Sequence, residues 1–174
     1  MTPETSATPV STGTTAIATA GPRVGHVHLR VADLERAIAF YRDLLGFELQ
    51  QRSGDAAAFL GADGYHHHIG LNTWQSFGAT PPPPGHTGLY HSAFLYPDRA
   101  ALAQVLRRLT AAGIPIQGSA DHGVSEAIYL SDPDGNGVEI YRDRPREDWP
   151  RAQDGALQMT SARFDLDALL AAHP

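Results

Sequence analysis

The chain has 174 residues, a formal net charge of −6 and no cysteine. This length suffices for one domain with a substantial core or for two small modules packed together. The lack of cysteine excludes disulfides, thiolate metal ligands and a cysteine nucleophile, and it leaves nine histidines to supply metal-binding nitrogen. The negative charge and the absence of a long basic run argue against nucleic acid or an anionic membrane surface as a partner.

The N-terminal segment is rich in Thr, Ser, Ala and Pro and has no apolar periodicity. It contains neither the basic region nor the continuous apolar core of a secretory signal. We therefore predict a disordered tail over residues 1–22 and, by default, a cytoplasmic protein. No apolar stretch in the sequence approaches the ~20 residues that a membrane-spanning helix requires, so we expect no membrane partner.

A first module is predicted over about residues 24–75. Residues 24–31 alternate apolar and polar side chains, which is typical of a half-buried strand. Asp33 is a good N-cap for a helix whose apolar residues follow at helical spacing, and Gly46 is expected just past its end. Three further strands are predicted at 47–53, 56–60 and 65–73.

The pattern restarts after a loop rich in proline and glycine, and a second module is predicted over about residues 88–142. Its first strand is predicted at 89–96, and its helix begins at Asp98 or Arg99 and ends at Gly113. Its remaining strands are predicted at 115–117, 126–130 and 138–141. A C-terminal extension with a short helix is predicted over residues 143–174.

The order strand, helix, three strands therefore occurs twice and predicts an α+β fold of paired βαβββ modules over residues 23–142. One such module buries only one face of its sheet well. Two modules side by side can form an open eight-stranded cup with the helices outside. Inward-facing residues of both modules would converge in the cup, so we expect the metal site there.

Two histidines occupy matching points of the repeat. A shift of 65 residues along the sequence aligns His26 with His91, whereas His28 aligns with Ala93. Together with Glu139, at the end of the second module, the matched histidines form the two-histidine, one-carboxylate set that holds non-haem Fe(II) with positions left open. His28 shares the strand face of His26 and remains a competing ligand.

The fourth strands of the two modules can also be aligned, through the glycine turn that precedes each of them. This alignment maps His68 onto Glu139. Alternation along a strand then predicts that His66 and His68 lie on the same face as the metal and that His67 faces the other way. A single strand histidine is usually an ordinary core or surface residue, so the hypothesis rests on the coincidence of the aligned positions.

The two modules resemble the vicinal oxygen chelate superfamily, which includes glyoxalase I, bleomycin-resistance proteins and type I extradiol dioxygenases. The resemblance covers about residues 24–142. It is carried by His26-Val-His-Leu-Arg-Val-Ala-Asp-Leu-Glu-Arg-Ala-Ile-Ala-Phe-Tyr and by Asp132-Pro-Asp-Gly-Asn-Gly-Val-Glu-Ile-Tyr. Within the superfamily the chain is most similar to the catechol 2,3-dioxygenase branch, through Gly64-Tyr-His-His-His-Ile-Gly, Thr87-Gly-Leu-Tyr-His and Val124-Ser-Glu-Ala-Ile-Tyr-Leu.

The resemblance implies a metal site and an activity. The family's metal ligands carry over to His26, His91 and Glu139. The implied reaction is extradiol cleavage of a catechol-type aromatic ring with O₂. Fe(II) is the expected metal, with Mn²⁺, Ni²⁺ and Zn²⁺ as alternatives, and the expected partners are a small aromatic substrate and O₂.

The resemblance also implies roles around the metal. The family's active-site histidine carries over to His68, where an acid–base group typically contributes ~10²–10⁴ in rate. Its substrate-contacting tyrosine carries over to Tyr129, and His122 falls near a second-sphere histidine on the substrate side. His66 is expected to help line the substrate pocket.

Two alternative functions remain open at this stage. The first is a glyoxalase-like isomerase or lyase with His68 as a fourth ligand, although such enzymes usually have a carboxylate base at that place. The second is a non-catalytic drug-binding protein of the resistance type, against which the full ligand set argues. Many extradiol enzymes carry two copies of the paired module, whereas this chain has one. A homodimer is plausible because open sheet edges tend to be covered, and the modules could pair within one chain or swap between chains.

Overall fold

A computed structural model describes residues 21–174, so the tail predicted over 1–22 lies almost entirely outside the described residues. The first module contains β1 (Val27–Arg30), α1 (Leu34–Ala39) with a π-helical continuation (Phe40–Leu44), β2 (Glu48–Ser53), β3 (Ala57–Gly61) and β4 (Ile69–Asn72). The second contains β5 (Ser92–Leu95), α2 (Arg99–Ala111), β6 (Gly118–Asp121), β7 (Ser125–Ser131) and β8 (Gly137–Asp143). A 3₁₀ turn (Arg146–Asp148) and α3 (Leu166–Ala172) follow. In this part of the chain no helix is long and apolar enough to cross a membrane.

The predicted α+β fold of two βαβββ modules is confirmed. Each module forms a four-stranded mixed sheet, with strand orders β1-β4-β3-β2 and β5-β8-β7-β6. In each sheet the first strand lies at the edge and pairs in parallel with the fourth strand, and the other pairs are antiparallel. The repeat in the sequence is thus a repeat in topology, with β1 and β5 in equivalent edge positions.

Local signals explain where the helices begin and end. Asp33 and Asp98 are the N-caps of α1 and α2, and each carboxylate accepts a hydrogen bond from a backbone N–H three residues later. Gly46 adopts a φ of 92° just past the first helix, a conformation that glycine reaches without steric cost. The sequence predicts these boundaries well because each depends on residues only a few positions apart.

Two strands differ most from their predicted positions. The strand predicted at 115–117 lies at Gly118–Asp121 instead, where it pairs with β7. Its Gly, Ser, Ala and Asp have little β propensity, so the neighbouring strand rather than the local sequence decides the placement. β4 begins at Ile69, four residues later than predicted, because the chain bends at His66 and His68 before joining the sheet.

The second module is docked onto the first helix through the turn between β7 and β8. Tyr41 is fully buried, and its hydroxyl donates a hydrogen bond of 3.0 Å to the buried carboxylate of Asp132. Asp132 also accepts from the backbone N–H groups of Asp134 and Asn136, and Arg36 pairs with Asp134 at 2.6 Å. Burial and the Asp132 charge raise the pKa of Tyr41, so the phenol remains a donor.

The C-terminal extension packs against the second module. Phe164 and Leu169 are buried in the core. The hydroxyl of Ser119 donates to the Phe164 carbonyl at 2.7 Å, and Asp121 forms a β-bridge with Ala162. The extension therefore covers the outer edge of β6, whereas the domain boundaries proposed at 23–142 and 143–174 stay predictions.

A buried carboxylate fastens α2, β7 and β8 together. Glu126 is 1% exposed and accepts hydrogen bonds from Arg99, Arg142 and Arg144. Burial favours its neutral form, but the guanidinium groups of Arg142 and Arg99 more than offset this and lower the pKa of Glu126. The carboxylate is therefore charged at neutral pH and balances a cluster of cations that would otherwise repel one another.

We predict that Tyr41→Phe lowers the free energy of unfolding by about 1–3 kcal/mol, because a buried carboxylate loses a hydrogen-bond donor. Urea denaturation of the variant measures this loss. Tyr90→Phe is the matched control, since Tyr90 is 89% exposed. An unfolding free energy unchanged in Tyr41→Phe would contradict the role given to this contact.

We predict that Glu126→Gln costs about 3 kcal/mol of stability at pH 7, because three arginines lose their shared counter-charge. The folded pKa of Glu126 lies below its ordinary value of 4.5, so its contribution is present above that value and is lost as the pH falls through the folded pKa. Urea titrations of both proteins from pH 7 to pH 3 should therefore converge at low pH. Glu147→Gln, at an exposed position, should show no such convergence.

Candidate metal centre

His91 and Glu139 are in direct contact on one face of the second sheet. β5 and β8 run in parallel with Ala93 opposite Glu139, and the His91 Nε2 atom lies 2.9 Å from the Glu139 Oε2 atom. Glu139 is 9% exposed, while the side chain of His91 is about one third open. An imidazole nitrogen and a carboxylate oxygen are thus held together at a solvent-accessible point, as two ligands of one metal ion would be.

A glycine makes this close pairing possible. A Cβ atom added at Gly137 would lie 2.0 Å from the backbone carbonyl oxygen of Tyr90 and 3.1 Å from the Cα of His91. Any larger residue would therefore push the start of β5 away from β8. Gly137, two residues before Glu139, is therefore required because the backbone that carries His91 passes so close to it.

Tyr129 lies beside Glu139 on the same sheet face. The two residues are register partners in β7 and β8, and the Tyr129 ring centroid is 5.8 Å from that of His91. Burial and the negative charge of Glu139 raise the pKa of Tyr129. The phenol therefore keeps its proton at neutral pH and is available as a hydrogen-bond donor next to the His91–Glu139 pair.

The orientation of Tyr129 is set through His122 and the C-terminal extension. The His122 Nδ1 atom lies 2.9 Å from the carbonyl oxygen of Thr160, and the Nε2 atom lies 2.8 Å from the Tyr129 hydroxyl. Because a carbonyl oxygen only accepts, Nδ1 of the neutral imidazole carries the proton and Nε2 accepts the proton of Tyr129. The sequence has no signal for the part played by Thr160, since the contact is made by its backbone 38 residues away.

The first module presents a second cluster of imidazoles on its own sheet face. The rings of His26 and His67 lie 4.5 Å apart, and His67 also packs against Phe59 at 5.2 Å. His28 packs against Phe59 and Trp74. Burial and the neighbouring imidazoles, that of His26 foremost, lower the pKa of His67, which keeps it neutral at pH 7.

The predicted orientation of His67 is wrong, because His67 rather than His68 contacts His26. Side chains alternate between the two faces only within a regular strand. His66, His67 and His68 lie in a segment that bends before β4 begins, so alternation does not predict their directions. The ring of His68 lies by those of Tyr65 and Phe47, and its Nδ1 atom accepts from the Ala62 N–H at 3.3 Å. His66 is exposed and contacts His67 at 2.7 Å between their Nδ1 atoms.

The structure therefore brings together only part of the predicted ligand set. Among residues 21–174, no group of three or more His, Asp or Glu side chains is placed to hold a metal ion. His91 and Glu139 supply two of the predicted ligands, and His26 belongs to the separate face of the first module. Within the described residues, the three predicted ligands are thus not gathered around one point.

The chain is similar to several known proteins. Residues 23–140 match the family model of the Glyoxalase/Bleomycin resistance protein/Dioxygenase superfamily. Catechol-2,3-dioxygenase of Bacillus subtilis (strain 168) is 44% identical over 147 residues, which are 84% of this chain and 50% of that protein. Biphenyl-2,3-diol 1,2-dioxygenase 3 of Rhodococcus globerulus is 33% identical over 125 residues, 72% of this chain and 65% of that protein. This chain thus spans about half to two thirds of the length of these curated relatives.

Solved structures show the same architecture. The crystal structure of lactoylglutathione lyase from Agrobacterium tumefaciens matches with a TM-score of 0.54 at 25% identity, over 70% of this chain and 94% of that chain. The paired-module fold is therefore shared with proteins named as dioxygenases and with proteins named as lyases. The fold alone does not distinguish these reactions, so the site residues must do so.

We predict that Gly137→Ala separates His91 from Glu139 and costs about 1–3 kcal/mol, because the new methyl group overlaps the Tyr90 carbonyl. Urea denaturation gives the loss of stability, and cobalt content after dialysis reports the damage to the ligand pair. Gly88→Ala is the matched control, since a Cβ atom there meets no atom within 4 Å. Equal stability of the two variants would contradict the close approach.

Proposed function

The chain belongs to the Glyoxalase/Bleomycin resistance protein/Dioxygenase superfamily, and from this premise we propose that it is a metal-dependent extradiol dioxygenase. Its substrate in this proposal is a catechol-type aromatic compound, and O₂ is the co-substrate. Similarity to proteins named catechol-2,3-dioxygenase and biphenyl-2,3-diol 1,2-dioxygenase supports the choice of reaction.

The observation that carries the proposal is the His91–Glu139 contact of 2.9 Å with Tyr129 beside it. In a ring-cleaving enzyme, Tyr129 could donate a hydrogen bond to an oxygen of the catechol-type substrate. Tyr129 as a hydrogen-bond donor and Glu139 as a metal ligand would thus serve the same site.

His26, His91 and Glu139 are the proposed metal ligands, and Fe(II) is the proposed metal. Two imidazoles and one carboxylate with open positions are the arrangement of non-haem Fe(II) oxygenases. The metal, when bound, supplies the redox chemistry and a template for the substrate oxygens. Mn²⁺, Ni²⁺ and Zn²⁺ remain alternative occupants of the same ligands.

Tyr129 is proposed to donate a hydrogen bond to a substrate oxygen, with His122 holding its hydroxyl in place. The Thr160 carbonyl fixes the tautomer of His122 that accepts from Tyr129. When substrate arrives, the Tyr129 hydroxyl can turn from His122 to the substrate oxygen with its proton retained. One such donor is typically worth ~10²–10³ in turnover when it faces developing charge.

His68 is the proposed acid–base group and His66 a proposed pocket residue. The Nδ1 atom of His68 accepts from the Ala62 N–H, so Nε2 is the ring nitrogen proposed for the acid–base role. In the neutral imidazole this makes Nε2 the protonated nitrogen. The proposal therefore requires the ring of His68 to present its Nε2–H toward the substrate from beside Tyr65.

We predict that the full chain, loaded with Fe(II) under anaerobic conditions and then given catechol and air, forms the yellow ring-opened product. Tyr129→Phe should retain the metal but lower kcat by about 10²–10³. Glu139→Ala should lose the metal, whereas Glu147→Ala, at an exposed position on the 3₁₀ turn, should retain it. Absorbance spectroscopy and metal analysis give these readouts.

Iron-loaded protein that opens none of several substituted catechols would refute the dioxygenase proposal. Full iron occupancy in Glu139→Ala would show instead that the ligand assignment is wrong. If the loaded protein isomerises a hemithioacetal while leaving catechols intact, the glyoxalase-like alternative replaces the proposal.

A further inference from the structure

We infer that Arg144 is a positioning residue, which holds His122 in place and through it the hydroxyl of Tyr129. The link runs through Asp121, the residue before His122 in the sequence. This role rests on the proposed function, because it takes from it the part of Tyr129 as a donor to the substrate. Arg144 itself lies away from the reacting atoms, and its contribution is to fix the direction in which the Tyr129 hydroxyl points.

The side chain of Arg144 lies on the sheet face opposite to the candidate site. Asp121 and Glu126 are register partners in β6 and β7, and the Arg144 Nη2 atom contacts both carboxylates, at 2.5 and 3.1 Å. Tyr129 follows Glu126 by three residues in the same regular strand, so its side chain points to the other face. Any influence of Arg144 on Tyr129 therefore passes through the backbone of these strands and the turn between them.

Asp121 connects Arg144 to the turn that contains His122. Its Oδ2 atom accepts from Arg144, and its Oδ1 atom accepts from the backbone N–H of Gly123 at 2.9 Å. Gly123 has a φ of 73°, and a Cβ atom added there would lie 2.8 Å from the Cγ of Pro150. The turn is therefore tightly packed, and a carboxylate held from two sides determines where His122 leaves the sheet.

Arg144 also ties this turn to the core of the second module. Its backbone N–H donates to the Val124 carbonyl at 2.7 Å, so the main chain and the side chain of one residue hold the two ends of the turn. Its second carboxylate partner, Glu126, is 1% exposed and also accepts from Arg142. The turn is thus anchored to a buried point and not to another surface side chain.

The position of His122 matters because its ring makes two directional hydrogen bonds. Nδ1 donates to the Thr160 carbonyl at 2.9 Å, and Nε2 accepts from the Tyr129 hydroxyl at 2.8 Å. The Thr160 N–H donates in turn to the His122 carbonyl at 3.0 Å, so the turn and the C-terminal extension form one unit. A shift of this unit against β7 would break the bond to Tyr129, and the Arg144 contacts oppose such a shift.

Nitrogen NMR of the His122 ring tests this link without any catalysis. The full chain is labelled with ¹⁵N-histidine and studied without added metal, and the His122 signals are assigned by their loss in His122→Asn. Tyr129→Phe gives the signal of an Nε2 atom that has lost its donor. We expect the Nε2 signal of Arg144→Met to move most of the way from the wild-type position to that of Tyr129→Phe.

Two further substitutions separate the role of Arg144 from general stability. Arg142→Met is the matched control, because Arg142 also donates to Glu126, whereas Arg144 is the member of the cluster that reaches Asp121 as well. It should leave the Nε2 signal at the wild-type position. Arg144→Lys should do the same, because one nitrogen makes both carboxylate contacts and a lysine ammonium can replace it.

Asp121→Asn tests the same link from the other side. The substitution keeps the oxygen that accepts from the Gly123 N–H, but it removes the negative charge and turns an amide donor toward Arg144. The pairing of Arg144 with Glu126 is left intact. The Nε2 signal should therefore shift as in Arg144→Met, and this variant decides the matter if Arg144→Met does not fold.

Turnover of catechol by the iron-loaded chain gives a second readout. Arg144→Met should lower kcat by about 10- to 100-fold and change KM less, because a group displaced from its working position can cost up to ~10² in rate. The double variant Tyr129→Phe/Arg144→Met should be no slower than Tyr129→Phe alone, since Arg144 acts only through Tyr129. Arg142→Met should keep the wild-type kcat.

The outcomes separate this inference from the proposed function. An Nε2 signal that stays at the wild-type position in both Arg144→Met and Asp121→Asn overturns the positioning role and leaves the dioxygenase proposal standing. Equal shifts in Arg144→Met and Arg142→Met, or a further fall of kcat in the double variant, also overturn it. A shift in Arg144→Met but not in Arg142→Met, in a chain that opens no catechol, supports the positioning role and refutes the proposed reaction.

Discussion

The buried hydrogen bond from Tyr41 to Asp132 is the contact on which the arrangement of the two modules depends. A βαβββ module has one apolar sheet face to bury, and its own helix covers only part of it. The two modules complete each other's core on that side, and the Asp132 turn fixes their relative orientation. This interface therefore also sets the positions of the opposite sheet faces, which carry the candidate site residues.

The sequence predicts the parts of the fold that are encoded locally. The cap at Asp33 and the glycine at position 46 each act over a single turn, and both are found as expected. The second helix is expected to begin at Asp98 or Arg99, and it begins at Arg99 with Asp98 as its N-cap. The repeat that aligns His26 with His91 is equally visible, since it reflects topology rather than packing. The His91–Glu139 contact follows from it, because parallel pairing of the first and fourth strands brings these positions together.

The features that the sequence does not predict depend on distant parts of the chain. β6 is placed by its partner β7 and by the C-terminal extension, neither of which leaves a local signal in Gly118–Asp121. The contact between His26 and His67 arises from a bend before β4, and alternation cannot anticipate a bend. The relative orientation of the modules depends on side chains 91 residues apart, and it decides which ligands meet.

The hydrogen bond between the His122 ring and the Thr160 carbonyl has an evolutionary consequence. The contact uses a main-chain oxygen, so almost any amino acid at position 160 would serve equally well. Mutation is then free to change the side chain there, while insertions or deletions between β8 and residue 160 are constrained because they would shift the carbonyl. If this constraint acts, the segment between β8 and residue 160 should vary in sequence among relatives but keep the same length.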